Sequence, residues 1–166
     1  RRKTSSLATF SVDFETHLLK PGLICPRPVV LSVYDGKNAR LLLRPDAYRF
    51  LRDGLKNGDS FVGDNIAYDF GVACAEWPDL VPLVFQAYDE DRVYDTETAD
   101  KLIALAMGVF KFERTAIGTF AKRKYALADL SDHWLNRPLK KGVDTWRLKY
   151  ALLDGVPLSE WPEEAK

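Results

Sequence analysis

Apolar residues recur at two spacings along the chain, and the two spacings separate strands from helices. Short apolar or alternating runs at residues 8–13, 29–34, 39–43, 60–63 and 93–95 read as five strands. Asp35-Gly36 sits between the second and third runs and marks the turn of a hairpin. Tyr48, Leu51, Arg52 and Leu55 follow a helical spacing, which predicts a helix over 45–56 ended by Asn57-Gly58. Asn65 opens a second helix that Pro78 stops after Trp77, and Thr96 caps a third that runs to about Met107. The remainder reads as helical near 126–136, 144–153 and again after Ser159. A hairpin first and β–α units afterwards predict an α/β fold, with a five-stranded sheet of mixed direction and helices on both faces.

Composition narrows the class. The 166 residues are 46% apolar and 29% charged, with no repeat, low-complexity stretch or linker, so a single globular domain over 1–166 is expected. A chain of this length buries roughly 70% of its unfolded surface. No apolar run approaches the ~20 residues that cross a bilayer, so no membrane partner is expected. The basic start, Arg1-Arg2-Lys3, lacks the apolar stretch of a signal peptide. Cys25 and Cys74 are too few for a disulfide framework or a zinc site, which points to reduced thiols in a cytoplasmic setting.

Net charge is zero but unevenly spread. Residues 12–100 hold 16 acids against 9 bases, and residues 111–149 hold 10 bases against 4 acids. An acidic region that can hold cations beside a basic region that can hold an anion suits a metal-dependent enzyme on a phosphate-rich substrate; an ordinary solvated surface is the alternative.

The chemistry concentrates in two places. Asp13 and Glu15 end the first strand one pleat repeat apart, so both side chains lie on one face. Two carboxylates that close repel unless a cation lies between them, and oxygen ligands suit Mg²⁺ or Mn²⁺. Asp69 follows the fourth strand early in a helix, four residues after Asn65, among apolar neighbours that make a lone acid costly. Asn65 also reads as an ordinary N-cap, and Asp69 as a solvent-facing helical acid. Taken together, two acids on the first strand and one over the carboxyl end of a later strand can converge. Two-metal phosphoryl transfer needs that convergence, one ion activating water and the other stabilising the leaving oxygen.

The segments Asp13-Phe14-Glu15-Thr16 and Asn65-Ile66-Ala67-Tyr68-Asp69 resemble the first and second motifs of the DEDD exonuclease superfamily. Tyr94-Asp95-Thr96, the stretch from Tyr125 to Leu130 and the stretch from Asp144 to Tyr150 resemble the exonuclease domains of phage-type family A DNA polymerases. The resemblance spans nearly the whole chain and implies a ribonuclease-H-like sheet. It implies two Mg²⁺ or Mn²⁺ ions on Asp13, Glu15 and Asp69, and release of 5′-mononucleotides from single-stranded DNA 3′ ends. It also implies terminal-nucleotide contacts from Thr16 and Leu19 with Asn65 nearby, a polymerase domain in the same or another chain, and a bacterial or phage-infected cytoplasm. A free-standing exonuclease acting on RNA, or an inactive module that binds nucleic acid or a protein, remains open.

The family's fourth carboxylate is an Asp four residues after a Tyr on a helix. Tyr150 and Asp154 have that spacing, but Gly155 and Pro157 end the helix there, and a new one is expected from Ser159. The expectation is therefore a third motif just beyond Lys166, a chain that is the N-terminal part of a longer protein, and weak nuclease activity from this chain alone because the fourth carboxylate is missing. His17 reads as a flanking loop residue, and Asp95 and Thr96 as caps. Trp134, Trp146 and Trp161 read as core, and Lys122-Arg123-Lys124 with Lys140-Lys141 as a phosphate track or a solvated loop.

Overall fold

The computed structural model describes residues 7–23, 25–114, 119–122, 124–139 and 146–166. Its centre is a five-stranded sheet in the order β3-β2-β1-β4-β5, formed by β1 Thr9–Thr16, β2 Pro28–Tyr34, β3 Ala39–Leu43, β4 Ser60–Gly63 and β5 Val93–Asp95. The first three strands are antiparallel, and β4 and β5 run parallel to β1. This is the mixed α/β sheet that the strand and helix pattern predicts. The first strand is longer than its apolar run. Asp13 and Glu15 stay paired with Ser32 and Val30 of β2, and a bulge between Glu15 and Thr16 ends the regular register.

One sheet face carries the main core. Val12 and Phe14 of β1, Leu31 and Val33 of β2 and Phe61 of β4 are buried beneath α1 Arg44–Asn57, α2 Ile66–Glu76 and α3 Val81–Asp89. Phe61 is wholly covered, with the Phe70 ring edge-on at 5.8 Å and Phe50 at 6.3 Å. Each side chain of this size contributes about 1.5–3 kcal/mol by burial. Gly58 ends α1 in the left-handed region at φ 89°, its N–H bonded back into the last turn. The helix α3 was not expected from the sequence. Pro78 stops α2, and Pro82 then starts a new helix in the first turn, where a missing N–H costs nothing.

The opposite face departs from expectation. The segments expected as helices at 144–153 and after Ser159 form short 3₁₀ turns, at Trp146–Leu148, Tyr150–Leu153, Leu158–Glu160 and Glu163–Ala165. Gly155, Pro157 and Pro162 break the chain too often for an α-helix to run, yet the turns still lay Leu153, Trp161 and Ala165 on Val29 and Val30. Beyond β5 lie α4 Thr96–Ala106, a hairpin of β6 Phe112–Arg114 with β7 Phe120–Lys122, and α5 Leu127–Leu135. That hairpin was not foreseen. Asp95 caps α4 by accepting from the Thr98 N–H at 2.8 Å. Trp161 and, in part, Trp146 belong to the second core. Trp134 does not: it is 53% exposed, with its indole N–H donated to the buried Asp100 at 2.8 Å. Arg123, Lys140, Lys141 and Asp144 lie outside the described residues. Among the described residues no helix is long and apolar enough to cross a membrane.

Candidate active site

A cleft of about 990 Å³ opens at the carboxyl ends of β1 and β4. Asp13, Glu15, Thr16, Leu19, Asn65 and Asp69 all line it, so the structure brings together six residues that the sequence separates by up to 56 positions. Two elements do the positioning. The strand β1 delivers Asp13 and Glu15 on one face. The turn from β4 into α2 delivers Asp69. That turn is tight because Gly63 has no side chain; a Cβ there would stand 3.1 Å from both the Val12 carbonyl and the Ile66 Cβ. Asn65 then takes a left-handed conformation, φ 57° and ψ 43°. It sits at the N-cap position but makes no side-chain cap bond, because its backbone is not in the extended region from which a cap side chain reaches the first turn. Asn tolerates that backbone where most residues would not.

Asp69 is 3% exposed, and its Oδ1 accepts from the Phe14 N–H at 2.8 Å. Phe14 lies between Asp13 and Glu15, so the helical carboxylate is fastened to the strand midway between the two strand carboxylates. Burial pushes the Asp69 carboxyl up to about 7, the Phe14 hydrogen bond offsets part of that, and the Asp13 and Glu15 charges raise it further. Among the described residues, no three His, Cys, Asp or Glu side chains are gathered tightly enough to hold an ion as they stand. The electrostatics nevertheless fit one: a buried acid repelled by two neighbours is relieved by a cation, and the all-oxygen donor set suits Mg²⁺ or Mn²⁺.

Several cleft residues were not singled out beforehand. Tyr68 OH lies 3.2 Å from Thr16 Oγ1 and sets that side chain. The spacing gave a signal for it, since Tyr68 immediately precedes Asp69 at the start of the helix. Asp64 and Glu97 line the same cleft. Burial raises the Asp64 carboxyl, a hydrogen bond from the Thr96 hydroxyl at 3.1 Å offsets part of the rise, and the charges of Glu97 and Asp95 add to it. Lys122 and Lys124, which the sequence offered as part of a phosphate track or a solvated loop, stand on the other wall, with Tyr125, Leu127 and Leu148. Leu148 lies in the stretch from Asp144 to Tyr150 but was given no role there; it reaches the cleft because the 3₁₀ turn Trp146–Leu148 folds beside it.

Tyr150 and Asp154 sit differently from the acids. Tyr150 OH donates to the Ala165 carbonyl at 3.2 Å, and its hydroxyl pKa is raised by burial and then by the charges of Glu15 and Asp13. The Asp154 carboxylate faces His17 Nε2 at 3.0 Å and two guanidinium groups, Arg44 Nη2 at 3.4 Å and Arg27 Nη1 at 3.6 Å.

No protein-family model and no curated protein matches the chain. Solved structures do. Brucella melitensis NrnC bound to pGG superposes with a TM-score of 0.54 at 16% identity, over 92% of this chain and 68% of that one. A second structure of Brucella melitensis NrnC gives 0.53 at 14% identity, with the same coverage of 92% and 68%. The Aedes aegypti Nibbler EXO domain gives 0.53 at 12% identity, over 90% of this chain and 73% of that one. At these identities the likeness is one of fold, and the shared architecture is the ribonuclease-H-like mixed sheet flanked by helices.

Proposed function

We propose that the chain is a metal-dependent 3′→5′ exonuclease that removes 5′-mononucleotides from the 3′ ends of single-stranded DNA, as a proofreading domain does. The observation that carries this reading is the fastening of buried Asp69 between Asp13 and Glu15 at the floor of a cleft whose other wall bears Lys122 and Lys124. Asp13, Glu15 and Asp69 would hold Mg²⁺ or Mn²⁺, which when bound activates water and neutralises charge at the scissile phosphate. Thr16, Leu19 and Asn65 line the space for the terminal nucleotide, and the two lysines supply phosphate contacts. The neighbours in fold support a nuclease, one being solved with pGG bound and another named as an EXO domain. For the same reason they favour a second reading, a free-standing exonuclease acting on RNA. We infer that Asp154 is not the fourth metal ligand, because both its oxygens face His17 and arginines.

The test is release of nucleotides from 5′-labelled single strands of DNA and of RNA with Mn²⁺ or Mg²⁺. Asp13→Ala should lower release by at least about a hundredfold, the scale on which even outer partners of a bound metal count. It should leave the fold intact by circular dichroism and abolish calorimetric Mn²⁺ binding. Products ending in 3′-phosphate, or near-normal release by the variant, would contradict the assignment. The ratio of DNA to RNA turnover decides between the two substrates.

A further inference from the structure

The second half of α4 breaks the rule that α1 and α2 keep. In those helices the large apolar residues turn inward, as Leu51 and Leu55 do in the one and Phe70 and Val72 in the other. In α4 and its cap the run Leu102-Ile103-Ala104-Leu105-Ala106-Met107 is apolar on every side, the composition of a buried helix. Only Ala104 of that run is buried. One turn earlier the buried position is taken by an acid, Asp100, which accepts the Trp134 indole N–H of α5. The large side chains are left outside: Leu102 is 62% exposed, Leu105 61% and Met107 69%.

The patch continues past the helix. Ile103, Phe110 and Phe112 are exposed as well. A groove of about 640 Å³ lies at the helix end, lined by Leu105, Gly108, Phe110, Lys111 and Phe112. Gly108 turns the chain in the left-handed region, and a Cβ there would meet no atom within 4 Å, so the groove stands open above the turn. These six large side chains expose on the order of 600 Å², the top of the range for a soluble monomer. With a polar rim the patch approaches the roughly 800 Å² that each partner of a stable interface buries.

Its shape and charge suit a second copy of the same chain. A two-fold interface needs one patch to supply both knob and hole. Leu102 stands out from the helix, and the groove around Gly108 lies six residues further on. Two copies with α4 antiparallel bring each leucine to the groove of the other. Asp95 and Glu97 open α4, and Lys111 follows its end. The antiparallel arrangement therefore sets the acids of one copy towards the lysine of the other, whereas a parallel one sets like beside like.

We propose that the chain pairs with a second copy of itself through the outer face of α4, the two helices antiparallel and Leu102 of each copy seated in the groove at Gly108 of the other. Glu97 also lines the candidate cleft, so pairing carries a base of the second copy to its edge. The pairing is independent of the exonuclease reading, and its test needs no turnover.

Sedimentation equilibrium of the 166-residue chain at micromolar concentrations reads the pairing directly. The wild type should show twice the mass of one chain and dissociate on dilution. Leu102→Glu places an unpaired charge in the seam and should raise the dissociation constant at least about thirtyfold. Its circular dichroism should not change, because that side chain is exposed in the single chain. Lys111→Glu should weaken pairing severalfold. Phe85→Glu, at an exposed apolar residue of α3, should leave the wild-type constant unchanged. A wild type that stays single throughout the range would overturn the proposal and leave the face to another protein. A Leu102→Glu variant that still pairs, or a Phe85→Glu variant that falls apart, would overturn it by placing the contact elsewhere. Lys111→Glu without effect would overturn the antiparallel arrangement.

Discussion

The acidic wall of the cleft stands on β1 and α2, while the basic wall stands on a three-residue strand and the loop after it. On the acidic side each carboxylate is placed by an element that is itself packed: Val12 and Phe14 alternate with Asp13 and Glu15, and Ile66, Phe70 and Ala73 anchor the helix of Asp69. On the basic side Lys122 and Lys124 are exposed, Phe112 of the partner strand is exposed, and Tyr125 ties the loop down by donating to the Phe110 carbonyl at 2.6 Å. The difference matches what the proposed exonuclease would ask of each wall. Holding cations needs oxygens placed to a fraction of an ångström, so the acids sit on regular, buried elements. Phosphate attraction acts over a Debye length of about 10 Å and tolerates loose placement.

The largest effect that could break this comparison lies at Asp69. Its carboxyl titrates at about 7 in the folded chain against an ordinary 3.8. Between those values the folded chain holds a proton that the unfolded chain has lost, so without metal its stability falls as pH rises through the window. One such group gives a slope of up to about 1.4 kcal/mol per pH unit. Urea unfolding in EDTA across that range should show the fall in the wild type and a flatter curve in Asp69→Asn, and Mn²⁺ should restore the wild type at the alkaline end. Parallel curves for the two proteins would mean that the acidic wall stores no such strain.

A smaller effect is expected across the cleft. Lys122→Ala and Lys124→Ala should each weaken binding of single strands severalfold at low salt. Each lost contact should flatten the slope of log affinity against log salt by about 0.7, with the turnover number almost unchanged. A steep fall in turnover with an unaltered salt slope would place the lysines in the chemistry and erase the contrast between the walls.

The smallest concerns what supports the basic wall. Trp134 of α5 donates to Asp100 of α4. Trp134→Phe keeps the ring but loses that bond, which is expected to cost about 1 kcal/mol and a few degrees in Tm. Lys122 and Lys124 should then bind strands less tightly while Mn²⁺ affinity at the acids is unchanged. A change in Mn²⁺ affinity would show that the two walls are mechanically one.

Much of the sheet was legible because its signals are local. Period-two apolar runs, the Asp35-Gly36 turn and the Asn57-Gly58 helix end depend on neighbours in sequence, and β2 through β5 fall within a residue of where those signals put them. The helix near 126–136 was legible too, as α5 Leu127–Leu135, but the segment from Trp146 onward was not. Its apolar residues keep a helical spacing that glycine and prolines interrupt, and only docking against Val29 and Val30 decides that 3₁₀ turns form instead. Likewise the β6–β7 hairpin is too short to announce itself, and α3 emerges where a proline that looks like a stop is also a start.

For the site, sequence alone determined which acids are present and in what order: Asp13 and Glu15 at alternate strand positions, and Asp69 early in a helix after a buried strand. Those are properties of spacing, and spacing survives without coordinates. Tertiary structure alone decided that Asp69 is buried, that it is fastened to Phe14, and that Asp154 lies among His17, Arg27 and Arg44 and not among the acids. Each of these pairs residues at least 55 positions apart or across separate elements. No local periodicity encodes such a contact, because its energy comes from desolvation and charge, which exist only once the chain has closed around them.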